Sequence, residues 1–131
     1  MIFRVDATSS TPVYRQIIDQ VRYAVATGRL QEGDRLAPIR DVAVKTRVNR
    51  NTVARAYAEL ERSGVLRNRA GQGSFVVMEE PSISRARARK FLSEQIDIML
   101  VEAHQLRFTE PDIMKLLAER LEKIDFGRDK D

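Results

Sequence analysis

Between residues 12 and 77 the chain repeats one pattern three times and then abandons it. Apolar residues recur on one helix face at Tyr14, Ile17, Ile18, Val21, Ala24 and Val25, again at Ile39, Val42 and Ala43, and again at Val53, Ala56, Tyr57 and Leu60. The helical period then gives way to two β-prone runs, Val65-Leu66-Arg67-Asn68-Arg69 and Ser74-Phe75-Val76-Val77, around the turn Ala70-Gly71-Gln72-Gly73. None of these elements buries its apolar face alone, so they must share one core. The chain has five Phe, three Tyr and no Trp, and that core is accordingly aliphatic.

Local signals set the boundaries. Thr11-Pro12 reads as an N-cap followed by proline at the first helical position, and Gly28 as a stop, giving a helix over about 12–28. Gly33-Asp34 marks a turn and Leu36 an anchor into the core. Pro38 starts a second helix that ends near Lys45 or Thr46, and Asn49 caps a third that Ser63-Gly64 closes. The expected fold is mainly α with a small β-hairpin: a winged helix-turn-helix over 1–78, a linker over 79–82, a two-helix dimerisation extension over 83–126 and a tail over 127–131. In the extension, Leu92, Ile96, Met99, Ala103 and Leu106 are spaced as an a/d seam within a helical pattern over 83–108. Thr109 and Asp112 resemble a capping box that opens a last helix carrying Ile113, Leu117, Leu121 and Ile124.

Composition removes several classes of function. Cysteine is absent, so there is no disulfide framework and no thiolate zinc site or nucleophile, and the single histidine, His104, makes no metal site. No apolar run approaches the ~20 residues that span a bilayer. The N-terminal ten residues lack a signal-peptide core, so the expected compartment is the cytoplasm. No nucleophile–base pair and no phosphate-binding loop is visible, and neither a catalytic role nor a cofactor is expected. Charge points elsewhere. Residues 1–77 hold 13 Lys+Arg against 7 Asp+Glu, whereas residues 78–131 hold 10 against 12. A basic, arginine-rich N-terminal part suits a polyanion such as double-stranded DNA.

The third helix carries the sharpest signal. Arg50, Asn51, Ala54 and Arg55 lie away from its apolar stripe and near its start. Arginine reads guanine and asparagine reads adenine through paired hydrogen bonds, and the small Ala54 lets the helix approach the groove floor. The helix N-terminus offers N–H groups to a phosphate, and Lys45 and Arg47 flank the turn where phosphates would pass. Arg85, Arg87, Arg89 and Lys90 open the long helix and read as a solvated face, with contact to phosphates flanking a DNA site as the alternative.

Taken together, TPVYRQI, GRLQEGDRL, Arg40-Asp41-Val42-Ala43, VNRNTVARAYAELERSGVL and GQGSFVV make residues 11–77 similar to the DNA-binding domain of the GntR family. The lead-in and the Asn-x-Asn-Thr-Val-x-Arg-Ala-Tyr stretch resemble its YtrA subfamily, whose members carry two short dimerising helices. The resemblance implies DNA contacts at Arg40, at Asn49, Arg50, Asn51 and Thr52, and at a wing tip formed by Gly71, Gln72 and Gly73. The chain departs from the family in four places. Leu36-Ala37-Pro38 replaces Leu-Pro-Ser, Arg47 stands at the usual turn glycine, Arg50 stands at the common YtrA-type proline, and Ala54 stands where many relatives have an arginine, with Arg55 one position away. The expected function is a transcription regulator, a repressor, that binds an inverted-repeat operator as a homodimer. A small-molecule effector, unidentified, is a further possible partner; a membrane is not. Two other readings are a winged helix used only for protein contact and a MocR-type regulator, whose large pyridoxal-phosphate domain this sequence lacks.

Overall fold

The computed structural model describes residues 1–80, 82–124 and 126. The element order is α1 (Val13–Ala26), α2 (Ile39–Thr46), α3 (Arg50–Arg62), β1 (Leu66–Arg69), β2 (Gly73–Val76), α4 (Arg85–Gln105) and α5 (Glu110–Leu121). The chain divides into two compact units, one built on residues 1–81 and one on residues 82–125. Pro81 in the expected linker, Asp125 at the end of the expected extension and the 127–131 tail lie outside the described residues.

In the first unit the three apolar stripes close on one core. Ile17, Ile18, Val21 and Ala24 of α1 meet Val42 and Ala43 of α2, and Val53, Ala56, Tyr57 and Leu60 of α3. Leu66 of β1 and Val76 of β2 complete it, and the expected anchor Leu36 is buried within it. Tyr57 carries a polar atom into this core, and its hydroxyl donates to the carbonyl of Ala37 just before α2. Burial pushes this phenol well above its ordinary pKa, so it stays a neutral donor. The extended lead-in is tied to α1 by two glutamines acting as surrogate backbone. Gln20 accepts from Arg4 N and donates to its carbonyl, at 3.0 and 2.6 Å, and Gln16 treats Asp6 likewise, at 2.9 and 2.8 Å. This holds Phe3 and Val5 against the core.

Both prolines stand one position earlier than expected. Pro12 and Pro38 have ψ of 147°, so they are N-caps and not first helical residues. Their carbonyls accept the opening helical bonds from Gln16 N and Val42 N, and neither has a side-chain oxygen to cap with. Thr11 is therefore not the cap of α1. The closing of α2 also costs something: Arg47, in place of glycine, adopts φ 58° and ψ 39°.

β1 and β2 pair antiparallel with Leu66 opposite Val76 and Arg69 opposite Gly73. The sequence pattern did not reveal a third edge. Gly33 N donates to Val76 O, Val76 N to Asp34 O, and Leu36 N to Ser74 O, at 2.9, 2.8 and 2.8 Å, with Arg35 bridged to Phe75. The chain between α1 and α2 thus braces the hairpin against the helices. Gly73 has φ 113°, a conformation that L side chains rarely adopt, so this position accepts little besides glycine.

The second unit contains α4 and α5. Ser84 caps α4 by accepting from Arg87 N. Thr109 and Asp112 form the expected capping box reciprocally, with Glu110-Pro111 opening α5. The Asp112 carboxyl is held below its usual range by these bonds from Thr109. The last turn stops at Leu121, leaving Ile124 beyond the helix. No residue of α4 or α5 is buried.

Two substitutions test this account. Tyr57→Phe removes one hydrogen bond while the exposed Ala37 backbone can turn to water, so the loss should be about 1 kcal/mol, or roughly 4–8 °C in Tm. A thermal melt checks it, and an unchanged Tm would mean that the Tyr57 bond contributes nothing. Arg47→Gly relieves a left-handed conformation that costs an L-residue about 1–2 kcal/mol, offset by about 0.5–1 kcal/mol of added chain entropy. A small net gain, between zero and about 1.5 kcal/mol, is expected in urea unfolding.

Candidate nucleic-acid interface

The exposed side of α3 is the reverse of its buried stripe. With Val53, Ala56, Tyr57 and Leu60 inward, Arg50, Asn51, Arg55 and Ala58 are exposed, and Thr52, Ala54 and Glu59 lie half-buried at the margins. Asn49 caps the helix as expected, its side chain accepting from Asn51 N at 2.7 Å. That bond also corrects one expectation. The Asn51 N–H is already taken by Asn49, and the Thr52 N–H donates to the Asn49 carbonyl at 3.0 Å, so these two donors are not open to a phosphate. What the helix start presents outward is the side chains of Arg50 and Asn51.

The other candidate residues surround this face in sequence and differ in setting. Arg40 is exposed in the first turn of α2, and Lys45 in its last turn. Arg47 is exposed in the left-handed turn between α2 and α3. Gly71 and Gln72 are exposed at the hairpin tip, and Gly71 has φ 73°, which the turn requires. Gly73 is half-buried beside Arg35. Its φ of 113° is the structural reason for glycine, which the sequence alone did not supply.

Two contacts were not legible in the sequence. The Arg55 guanidinium lies 3.8 Å from the centroid of the Tyr14 ring on α1, and Arg69 lies 4.6 Å from that of Phe75 on the paired strand. Arg69 and Phe75 are diagonal neighbours across the hairpin, where cross-strand pairs of this kind stabilise the register. The nearby Arg67 is instead engaged by Glu79 at 2.8 Å.

In the second unit the five expected dimerisation residues divide. Met99, Ala103 and Leu106 line an apolar hollow of about 250 Å³ together with Ile113 and Leu117 of α5, with Glu102 and Arg120 also contributing to its walls. Leu92 and Ile96 lie on α4 outside that hollow, 58% and 51% exposed. Phe91, Ile98 and Val101 are exposed as well, at 57%, 62% and 61%, and do not belong to the seam. His104 is exposed, and among the described residues no group of three metal-ligating side chains occurs. Among the described residues no helix is long and apolar enough to cross a membrane.

Known proteins share this arrangement. The family described as bacterial regulatory proteins, gntR family, matches residues 13–76, which begin at α1 and end with β2. The HTH-type transcriptional regulator YhcF of Bacillus subtilis is 35% identical over 107 residues, covering 82% of this chain and 88% of YhcF. The HTH-type transcriptional repressor YtrA of the same organism is 32% identical over 103 residues, covering 79% of each chain. The crystal structure of a transcriptional antiterminator from Listeria monocytogenes EGD-e superposes with a TM-score of 0.79 at 29% identity, covering 95% of this chain and 94% of that one. With a winged helix-turn-helix whose third helix presents arginine and asparagine outward, and with similarity that extends through most of YhcF and YtrA, the chain belongs to the GntR family of bacterial transcription regulators.

Proposed function

We propose that this protein is a repressor that binds an inverted-repeat operator as a homodimer. The observation that carries the reading is the start of α3. Arg50 and Asn51, the two residue types that read guanine and adenine, project from a capped helix end whose opposite face is fixed in the core. Arg40, Lys45 and Arg47 are the phosphate-contacting candidates before α3, and the tip at Gly71, Gln72 and Gly73 is the candidate for the adjoining minor groove. The name repressor comes from YtrA and is applied here as part of the proposal. A two-fold dimer presents two recognition helices and so selects two half-sites about one helical turn apart, ~34 Å. The exposed apolar residues of α4 support the dimer: Leu92, Ile96 and Met99 are left in water by a single copy. An effector held in the α4–α5 hollow would act only through a difference in affinity between DNA-competent and incompetent dimers.

Selection of duplexes from a random pool, followed by titration at several salt concentrations, tests the DNA reading. An inverted repeat should emerge. Arg50→Ala and Asn51→Ala should each weaken the selected site by about 1–3 kcal/mol and relax the preference at one position per half-site. Lys45→Ala should weaken all duplexes alike and flatten the salt slope by about one ion. An Arg50 variant that selects the same site with the same affinity would remove α3 from its assigned role. For assembly, replacing Ile96 and Met99 by glutamate should give monomers by light scattering, with operator affinity reduced. A wild-type monomer at micromolar concentration would refute the dimer.

A further inference from the structure

Arg55 lies near the edge of the exposed face of α3, toward α1 and one position round from Ala54. Its guanidinium is 3.8 Å from the centroid of the Tyr14 ring, well inside the range of a cation–π contact. Three features separate this contact from ordinary surface packing. First, among the described residues Arg55 has no ion pair and no hydrogen bond, so the N–H groups at its edge are unspent. Second, the acidic side chain one helical turn along, Glu59, is engaged elsewhere: it takes two bonds from Arg62 Nη2, at 2.6 and 2.7 Å, and one from Nε at 3.1 Å. Third, Arg15 approaches the same ring, its guanidinium carbon 5.8 Å from the centroid. Of the two cations beside this ring, Arg15 has the charge of Glu59 acting on it, whereas Arg55 does not.

A guanidinium stacked on a ring loses its rotational freedom but keeps its in-plane donors, whose fork matches two oxygens of a phosphate. Residues at the margin of a recognition helix face the walls of the groove, where the phosphates run, whereas those on its axis face the bases. We propose that Arg55 clamps a phosphate of the DNA backbone and that Tyr14 is its positioning residue, holding the guanidinium plane ready on the α1 side of α3. The clamp rests on the DNA-binding reading given above. It assigns Arg55 to affinity, leaving sequence choice to Arg50 and Asn51, and it gives a residue of α1 a part in binding DNA that it does not itself touch.

The test is fluorescence anisotropy of the full-length protein with two duplexes, one selected from a random pool and one unrelated, over a range of salt. Arg55→Ala and Tyr14→Leu should each weaken both duplexes about 3–30-fold and lower the salt slope by about one ion. The double variant should be no weaker than Arg55→Ala, and Tyr14→Phe, which keeps a ring, should restore most of the slope. Melting curves of each variant separate lost binding from lost folding, and Arg55→Ala, at an exposed site, keeps the test open should Tyr14→Leu unfold. The clamp is overturned if Tyr14→Leu lowers Tm but leaves the slope intact, for then the ring only packs. It is equally overturned if Arg55→Ala changes base preference at constant slope, for then Arg55 reads a base. Failure of the wild-type protein to bind any duplex would refute the DNA-binding reading and the clamp together. Failure of the variants alone to behave as described refutes only the clamp.

Discussion

The exposed face of α3 can be specific only because its other face cannot move. Val53, Ala56 and Leu60 are fully buried and Tyr57 nearly so, packed against α1 on one side and the hairpin on the other. Close packing leaves little freedom to rotate the helix about its axis: a turn of one residue position, about 100°, would drive Arg50 or Arg55 into an aliphatic core and expose Val53. The Tyr57 hydroxyl adds direction to this packing, since its bond to Ala37 ties the middle of α3 to the entry of α2. The bracing of β2 by residues 33–36 then fixes the hairpin relative to the helices. Outward geometry in the first unit is thus a consequence of inward contacts, and each candidate DNA residue inherits its position from a buried neighbour.

Much of this was legible in the sequence because the signals are local. A stripe at helical period, an Asn ahead of it and a glycine behind it specify α3 almost completely, and the Thr109–Asp112 box announces α5 in the same way. Proline was less informative. Its fixed φ suits both the N-cap and the first helical residue, and only ψ, which the ring does not set, places Pro12 and Pro38 at the cap. The features missed are those that join residues distant in sequence. Arg35 meets Phe75 and Gly73, and Tyr14 meets Arg55, through tertiary closure that leaves no periodic trace. Gly73 read as a wing-tip residue because of its neighbours in the chain, whereas its backbone φ of 113° supplies a separate reason for glycine.

The seam of α4 shows another limit. Heptad spacing identifies residues that need covering but not what covers them. Met99, Ala103 and Leu106 line a hollow with Ile113 and Leu117 of the same chain, yet Met99 and Leu106 stay 43% and 66% exposed, so the hollow does not cover them. Phe91, Ile98 and Val101 lie off the seam and are widely exposed. Apolar residues on more than one side are what a helix with several neighbours needs, and a helix with a single partner has no use for them.

This bears on what holds the second unit together. Its 21-residue α4 and 12-residue α5 contain no buried residue, although both are well capped. Caps contribute about 1 kcal/mol each, and two helices without a shared core are marginal in water. In the proposed dimer the missing burial comes from the second copy, so ordering of α4 and α5 and association of the protomers become one equilibrium. Stability of this unit then depends on protein concentration, while the first unit, with its own closed core, does not share that dependence. A signal that weakens the helical unit would release the two winged domains from each other without unfolding either. Operator affinity would fall because two linked recognition helices had become two independent ones.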